Sequence, residues 1–465
     1  MNEMLYIGLA ITLFIIVSLS IWTGKQAKKS TCNPTSVVAG VIMGTLVGGS
    51  STVGTAQLAY QFGMSAWWYT LGAGISCLIL ALVYTKPLRR SGCSTLVGII
   101  RKEYGSKVGM TVSVLSCVGT FINVIPQVIA ATAVLAVVFP AMKLTTAVFF
   151  SVVFMILYVI FGGTKGAGII GIVKMLLIYL TMIAGAGMVL KMVGGLTSFT
   201  KMVQHIEDPS SIRFTSLFAR GVGTEIGACL SVILGVITTQ TYAQGVLSGR
   251  TDQNGVRGAL ISAFLIPPIG IGGILVGLYM RANATLYSGV TAKTALTAFI
   301  TAHMPPLLAG IILGVLFITV VGTGAGIVLG ISTTLTNDIA AQLIPKLNTQ
   351  RLKVALSKGM IVLVLCAAGF LACGPLGDTI LQFTYMSMGL RGAVVFLPLA
   401  CSLWLPGQIS SRYAMAAVIA GPLTVLLFGL WGILPFDPLF AGMAAALLIM
   451  AAGLCRCVKE KNFDH

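Results

Sequence analysis

The chain has 465 residues, 57% of them hydrophobic and only 9% charged, with a mean hydropathy of +1.00. Apolar blocks of about membrane length recur from end to end, which excludes a soluble globular protein and defines an all-α polytopic membrane protein set in a lipid bilayer. A formal charge of +18 would suggest nucleic acid in a soluble chain, but here the lysines and arginines gather in alternate loops, so the charge is topological and no nucleic-acid role is expected.

Thirteen candidate spans follow in order: residues 4–23, 37–62, 65–85, 108–138, 144–163, 166–191, 218–245, 255–280, 306–335, 354–373, 379–403, 412–432 and 436–455. The first lacks a basic start and a small-residue cleavage site, and is read as a retained helix. One set of alternate loops carries Lys25, Lys28 and Lys29, then Lys86, Arg89, Arg90, Arg101, Lys102 and Lys107, then Lys165, Arg250, Arg257, Lys346, Arg351, Lys353, Lys358, Arg412, Arg456, Lys459 and Lys461. The other set holds only Lys143, Lys191, Lys201, Arg213, Arg220, Arg281 and Lys293. Cytoplasmic loops carry the excess, so the N-terminus is expected outside and the C-terminus inside a plasma membrane. The 10 cysteines lie mostly within spans and lack metal-ligand spacing. They read as small membrane hydrophobes, with palmitoylation of Cys455 and Cys457 as the other option.

The second span is unusual. Its centre reads Gly48-Gly49-Ser50-Ser51-Thr52-Val53-Gly54-Thr55, glycines and hydroxyls where leucines would serve a plain crossing. Non-helical backbone survives in lipid only where protein surrounds it or where it lines a cavity. Freed carbonyls there can hold a cation, and exposed amides an anion. In the fourth span Pro126 frees a carbonyl beside Asn123 and Gln127. The seventh contains a polar run from Gly235 to Gln244, suited to a second discontinuous helix. The ninth contains Gly322-Thr323-Gly324-Ala325-Gly326, with Thr319 a turn earlier and Ser332 to Asp338 at its end. Any one such run equally marks close helix packing. Two polar breaks five spans apart, however, are the sequence sign of a binding site between inverted repeats.

Catalytic constellations are lacking. His205, His303 and His465 fall in loops or the tail, and of 11 acidic residues only Glu225 lies far enough inside a span to count as intramembrane, where it reads as a gate or strut. No enzymatic activity is expected, and transport is the simplest use of these spans. Ser50, Ser51, Gln57, Asn123, Gln127, Gln240 and Gln244 are the candidate polar contacts for a solute at the midplane. Arg391, deep in its span, either clamps a substrate carboxylate in two-point fashion or acts as a static strut. Lys174 either works inside the membrane or snorkels to its surface.

Gly49 to Tyr60, Gly63 to Tyr69, Tyr158 to Ala167 with its pair Gly162-Gly163, Gln240 to Gln244, and Gly322 to Asp338 together resemble, in order and spacing, the sodium/solute symporters. The resemblance implies a leucine-transporter-like fold. A leading helix (1–36) would precede a five-helix repeat (37–200), its inverted copy (201–405) and two trailing helices (406–465), with the first and sixth core helices broken. It also implies sodium-coupled symport of a small polar or anionic organic solute by alternating access. The Na+ ion would be held by backbone carbonyls of Gly49 and Thr52 and by Thr319, Gly322 and Thr323. Two departures stand out: Gly322 replaces the family's usual serine, and Gly171 and Lys174 stand where an Asp and a Gln are common. A sodium-independent carrier, proton-coupled or exchanging, with the Lys174 ammonium in place of the ion, therefore stays open as a coupling scheme. So does a membrane sensory module, which would need a separate signalling chain. Solute identity and oligomeric state do not follow from the sequence.

Overall fold

The structure is a computed structural model that describes residues 3–26, 34–206, 212–287, 289–340, 350–374, 380–431 and 436–463. Lys28, Lys29, Cys32, Lys346 and His465 lie outside the described residues, as do the side chains of Lys25, Lys165, Asn337, Asp338, Arg351, Cys457, Lys459 and Lys461.

Helix α1 (Glu3–Gln26) leads, and α2 (Thr35–Leu46) follows. The expected break in the second span is present: α2 stops at Leu46, Val47 is extended, and a π-turn at Ser50–Gly54 leads into α3 (Thr55–Phe62). The next crossing is α4 (Trp67–Ile79), continued through a π-turn into α5 (Thr85–Arg90). A short helix, α6 (Leu96–Tyr104), precedes α7 (Ser106–Ile122) and α8 (Val124–Val138). The last two form one crossing that kinks at Asn123, and Pro126 sits in the first turn of α8, where its missing N–H removes no helical bond.

Two expected spans, 144–163 and 166–191, run together as α9 (Leu144–Val193). Nothing between those ends is a proline, so the hydrogen-bond ladder has no obligatory stop. Both of its halves reach α16: Tyr158 lies against Gly322 and Lys174 against Thr323.

After α10 (Leu196–Gln204), the second break appears as a 50° bend between α11 (Val222–Ile237) and α12 (Gln240–Leu247). Then come α13 (Asp252–Leu265), α14 (Pro267–Ala282), the short α15 (Ala295–His303) and α16 (Pro306–Thr334). The remaining helices are α17 (Gln350–Ala372), α18 (Ile380–Trp404), α19 (Ser411–Trp431) and α20 (Pro438–Phe463). Among the described residues the order is a leading helix, two halves each opened by a broken helix, and two trailing helices.

Burial shows which helices form the middle. In α16, 83% of the apolar window is buried, against 28% in each of α17, α19 and α20, whose outer faces suit lipid. Close approach depends on small residues. A Cβ on Gly310 would strike the Leu5 backbone, one on Gly8 the Leu307 carbonyl, and one on Gly171 the Gly40 carbonyl. These contacts seat α1 on α16 and the second half of α9 on α2.

Candidate functional site

At the first break the chain satisfies its own backbone. Gly48 N donates to Ser51 Oγ at 2.8 Å, while the Ser51 and Thr52 hydroxyls donate back to Gly48 O at 3.1 and 2.8 Å. Gln127 of α8 adds two bonds: its Oε1 accepts from Gly49 N at 3.1 Å and its Nε2 donates to Ser50 Oγ at 3.2 Å. Ser50 Oγ also pairs with Thr384 Oγ1 of α18 at 2.8 Å. The unwound segment is thus held by two other helices, and all of these side chains are buried.

The carbonyls that the break releases lie in the last turn of α2, where helical partners run out. The Lys174 ammonium donates to Gly44 O at 2.6 Å and to Thr323 Oγ1 at 2.7 Å. The Thr323 hydroxyl in turn donates to Val47 O at 3.2 Å. Lys174 is only 7% exposed, so it does not snorkel; it joins α2, α9 and α16 at one point. The expected pair Gly49 and Thr52 is not at this junction. Gly49 O accepts from Gly54 N and Thr52 O from Thr55 N, so both are committed to the π-turn and to α3. Gly44 and Val47 take their place. Thr319 is buried on α16 one turn before Thr323, and Gly322 faces the Tyr158 ring.

At the second break, Thr238 and Thr239 turn their hydroxyls onto the Leu234 and Gly235 carbonyls, which α12 no longer caps. Arg391 of α18 reaches this point. Its Nη1 donates to Thr239 Oγ1 at 2.7 Å and its Nε to Ser387 O at 3.2 Å, and the residue is 2% exposed. Its Nη2 is buried without a hydrogen-bond partner, as is Asn123 Oδ1. Both residues line one cavity of about 40 Å³ with Thr120, Thr239, Gln240 and Tyr242, and no lining residue is acidic. That space admits a few water molecules and no organic solute. Leu96, Val97, Ile331 and Thr334 line its far end, toward the face that carries Arg89, Arg90 and Lys102.

The opposite face carries an ion pair. Arg220 forms a two-point ion pair with the fully buried Glu225, at 2.9 and 2.7 Å, and its guanidinium stands 5.8 Å from the Phe62 and Tyr385 ring centroids. Trp68 Nε1 donates to Leu217 O at 2.7 Å, tying the preceding loop to α4.

The structure therefore brings Asn123, Gln240 and Arg391 to one cavity, and Ser50 and Gln127 to the first break. Ser51 closes its own turn. Gln57 accepts from Ile380 N at 3.0 Å, and Gln244 lines a separate surface depression with Arg89 and Asp252. Gln240 itself is bound to Leu96 N and Ser94 O at 2.8 and 3.1 Å. Thr239, Thr384, Gly44 and Val47 were not singled out from the sequence. For the threonines the available signal was position, next to or facing a break; for the carbonyls there was none, since every residue has one.

Helix α18 links the two breaks, with Thr384 bonded to the first and Arg391 to the second, about 10 Å apart along its axis. Two broken helices whose polar groups converge on one shared helix are the arrangement of the leucine-transporter fold. The chain belongs to the sodium:solute symporter family, whose profile matches residues 33–421. High-affinity choline transporter 1 of Caenorhabditis elegans is 24% identical over 283 residues, which cover 56% of this chain and 48% of that protein, so the chain spans about half the length of that relative. Among solved structures, a substrate-bound, outward-open Na+-coupled sialic acid symporter superposes with a TM-score of 0.79 at 16% identity, over 98% of this chain and 97% of that one. Inward-facing Mhp1 gives 0.55 at 12%, over 92% and 91%. At such identities the likeness shows the fold.

Proposed function

We propose that this family member carries a small anionic organic solute by alternating access, with the Arg89 face cytoplasmic and the N-terminus outside. The alternation of basic loops supports that orientation. The solute class rests on Arg391. A buried guanidinium with no acid in its cavity and one unsatisfied nitrogen carries a large desolvation cost, which a carboxylate would offset through charge-assisted bonds. Asn123 Oδ1 beside it asks for a donor, so an acid that also bears a hydroxyl or ammonium group satisfies both. The cavity must widen to admit it, and the Arg220–Glu225 pair must part to let it in from the other side.

Counterflow in proteoliposomes with a panel of small acids, and with their amides and methyl esters, tests this reading. The acids should exchange and the neutral analogues should not. Arg391→Gln should weaken apparent affinity for the acid by about 30-fold or more, since removing one partner of a buried charge pair costs about 2 kcal/mol upward. Equal exchange of acids and amides would overturn the proposal.

A further inference from the structure

By the family resemblance, a coupling sodium ion would sit at the junction of α2 and α16. A hard cation there needs several converging oxygens. Gly44 O and Thr323 Oγ1 are already the acceptors of the Lys174 ammonium, and Thr323 turns its own proton to Val47 O. Gly322 supplies no hydroxyl, and a Cβ there would stand 3.2 Å from the Tyr158 hydroxyl oxygen, so that corner is occupied by a ring. The close approach that brings Lys174 into reach is itself built: three residues earlier, Gly171 rests on the Gly40 carbonyl with no space for a side chain. These residues do not fit a sodium ion at this point.

We infer that the Lys174 ammonium is the resident cation of this junction, holding α2, α9 and α16 together in the place where a dissociable sodium ion would act. The inference does not depend on the nature of the solute. Lys174 supplies the positive charge, Gly44 O and Thr323 Oγ1 receive it, and α2 is held to α16 without an ion taken from solution. Solute exchange then does not require sodium at this junction.

The test is a thermal-stability titration of the purified full chain as sodium replaces choline at constant ionic strength, in wild type and in Thr323→Ala. The quantity read is the sodium-specific rise that Thr323→Ala removes. It should be zero in wild type. A saturable rise of about 2–5 °C that disappears in Thr323→Ala would overturn the inference. The complementary variant is Lys174→Ala with Gly322→Ser, which removes the tethered charge and restores a hydroxyl. It should melt lower than wild type and gain a saturable sodium response. Wild-type melting with no sodium response in that variant would show that Lys174 is a bystander and would also overturn the inference. If the double variant does not fold, the wild-type titration decides alone. Failure of the solute proposal would appear separately, as exchange that does not distinguish acids from amides.

Discussion

Arg391 and Lys174 show how differently two buried cations can be used. Lys174 spends its charge on oxygens that the fold supplies, whereas Arg391 keeps a nitrogen in reserve above a cavity. Among the described residues, Thr239 is the one side chain that accepts from Arg391. Thr239→Val should therefore cost about 1–3 kcal/mol of stability, read as a fall in Tm, because it leaves a charged donor further unsatisfied. An acidic solute should recover part of that loss, which a merely structural threonine would not allow. Both cations were legible in the sequence, since a charge deep in an apolar span is conspicuous. The choice between the roles open to each was not, because the groups that answer them are backbone carbonyls and a threonine, common in every helix. Gln57, a candidate polar contact by sequence, accepts from Ile380 N at the start of α18.

At the scale of the helix, both breaks could be read from their glycines and threonines, while the register of the first could not. The sequence fixes where a helix is weakened, but the released carbonyls belong to the turn before the weak point, because a helix end orphans its last four acceptors. The π-turn at Ser50–Gly54 then consumes the carbonyls that follow. The packing of α9 on α2 yields a prediction of the same scale. Gly171→Ala would place a methyl group on the Gly40 carbonyl and should destabilise by about 1–3 kcal/mol, read as a lower Tm. Gly187→Ala, further along the same helix with nothing within 4 Å of the added Cβ, should be neutral or slightly stabilising. Equal effects at the two positions would mean that the α2–α9 contact is looser than described.

Among the described residues, the Arg220–Glu225 pair bridges one face and a narrow cavity lies toward the other, a posture that the proposed alternating access would reverse. Cys117 lines the hollow and offers a native probe. In a background lacking the other cysteines, a membrane-impermeant thiol reagent should modify it from the Arg89 face only, in the fraction of molecules whose cavity has widened on that side, and bound solute should slow the reaction. Glu225→Gln removes one charge of the ion pair that bridges the far face, so it should shift the population toward opening there and reduce Cys117 labelling from the Arg89 face several-fold. Unchanged labelling would show that the ion pair is a strut and not a gate. The tether of Lys174 has a consequence in time. A cation that diffuses can leave a site for bulk water while the helices stand still, but one carried by α9 stays within the reach of its side chain, so the charge leaves the junction altogether only on the clock of a helix displacement, about microseconds to milliseconds.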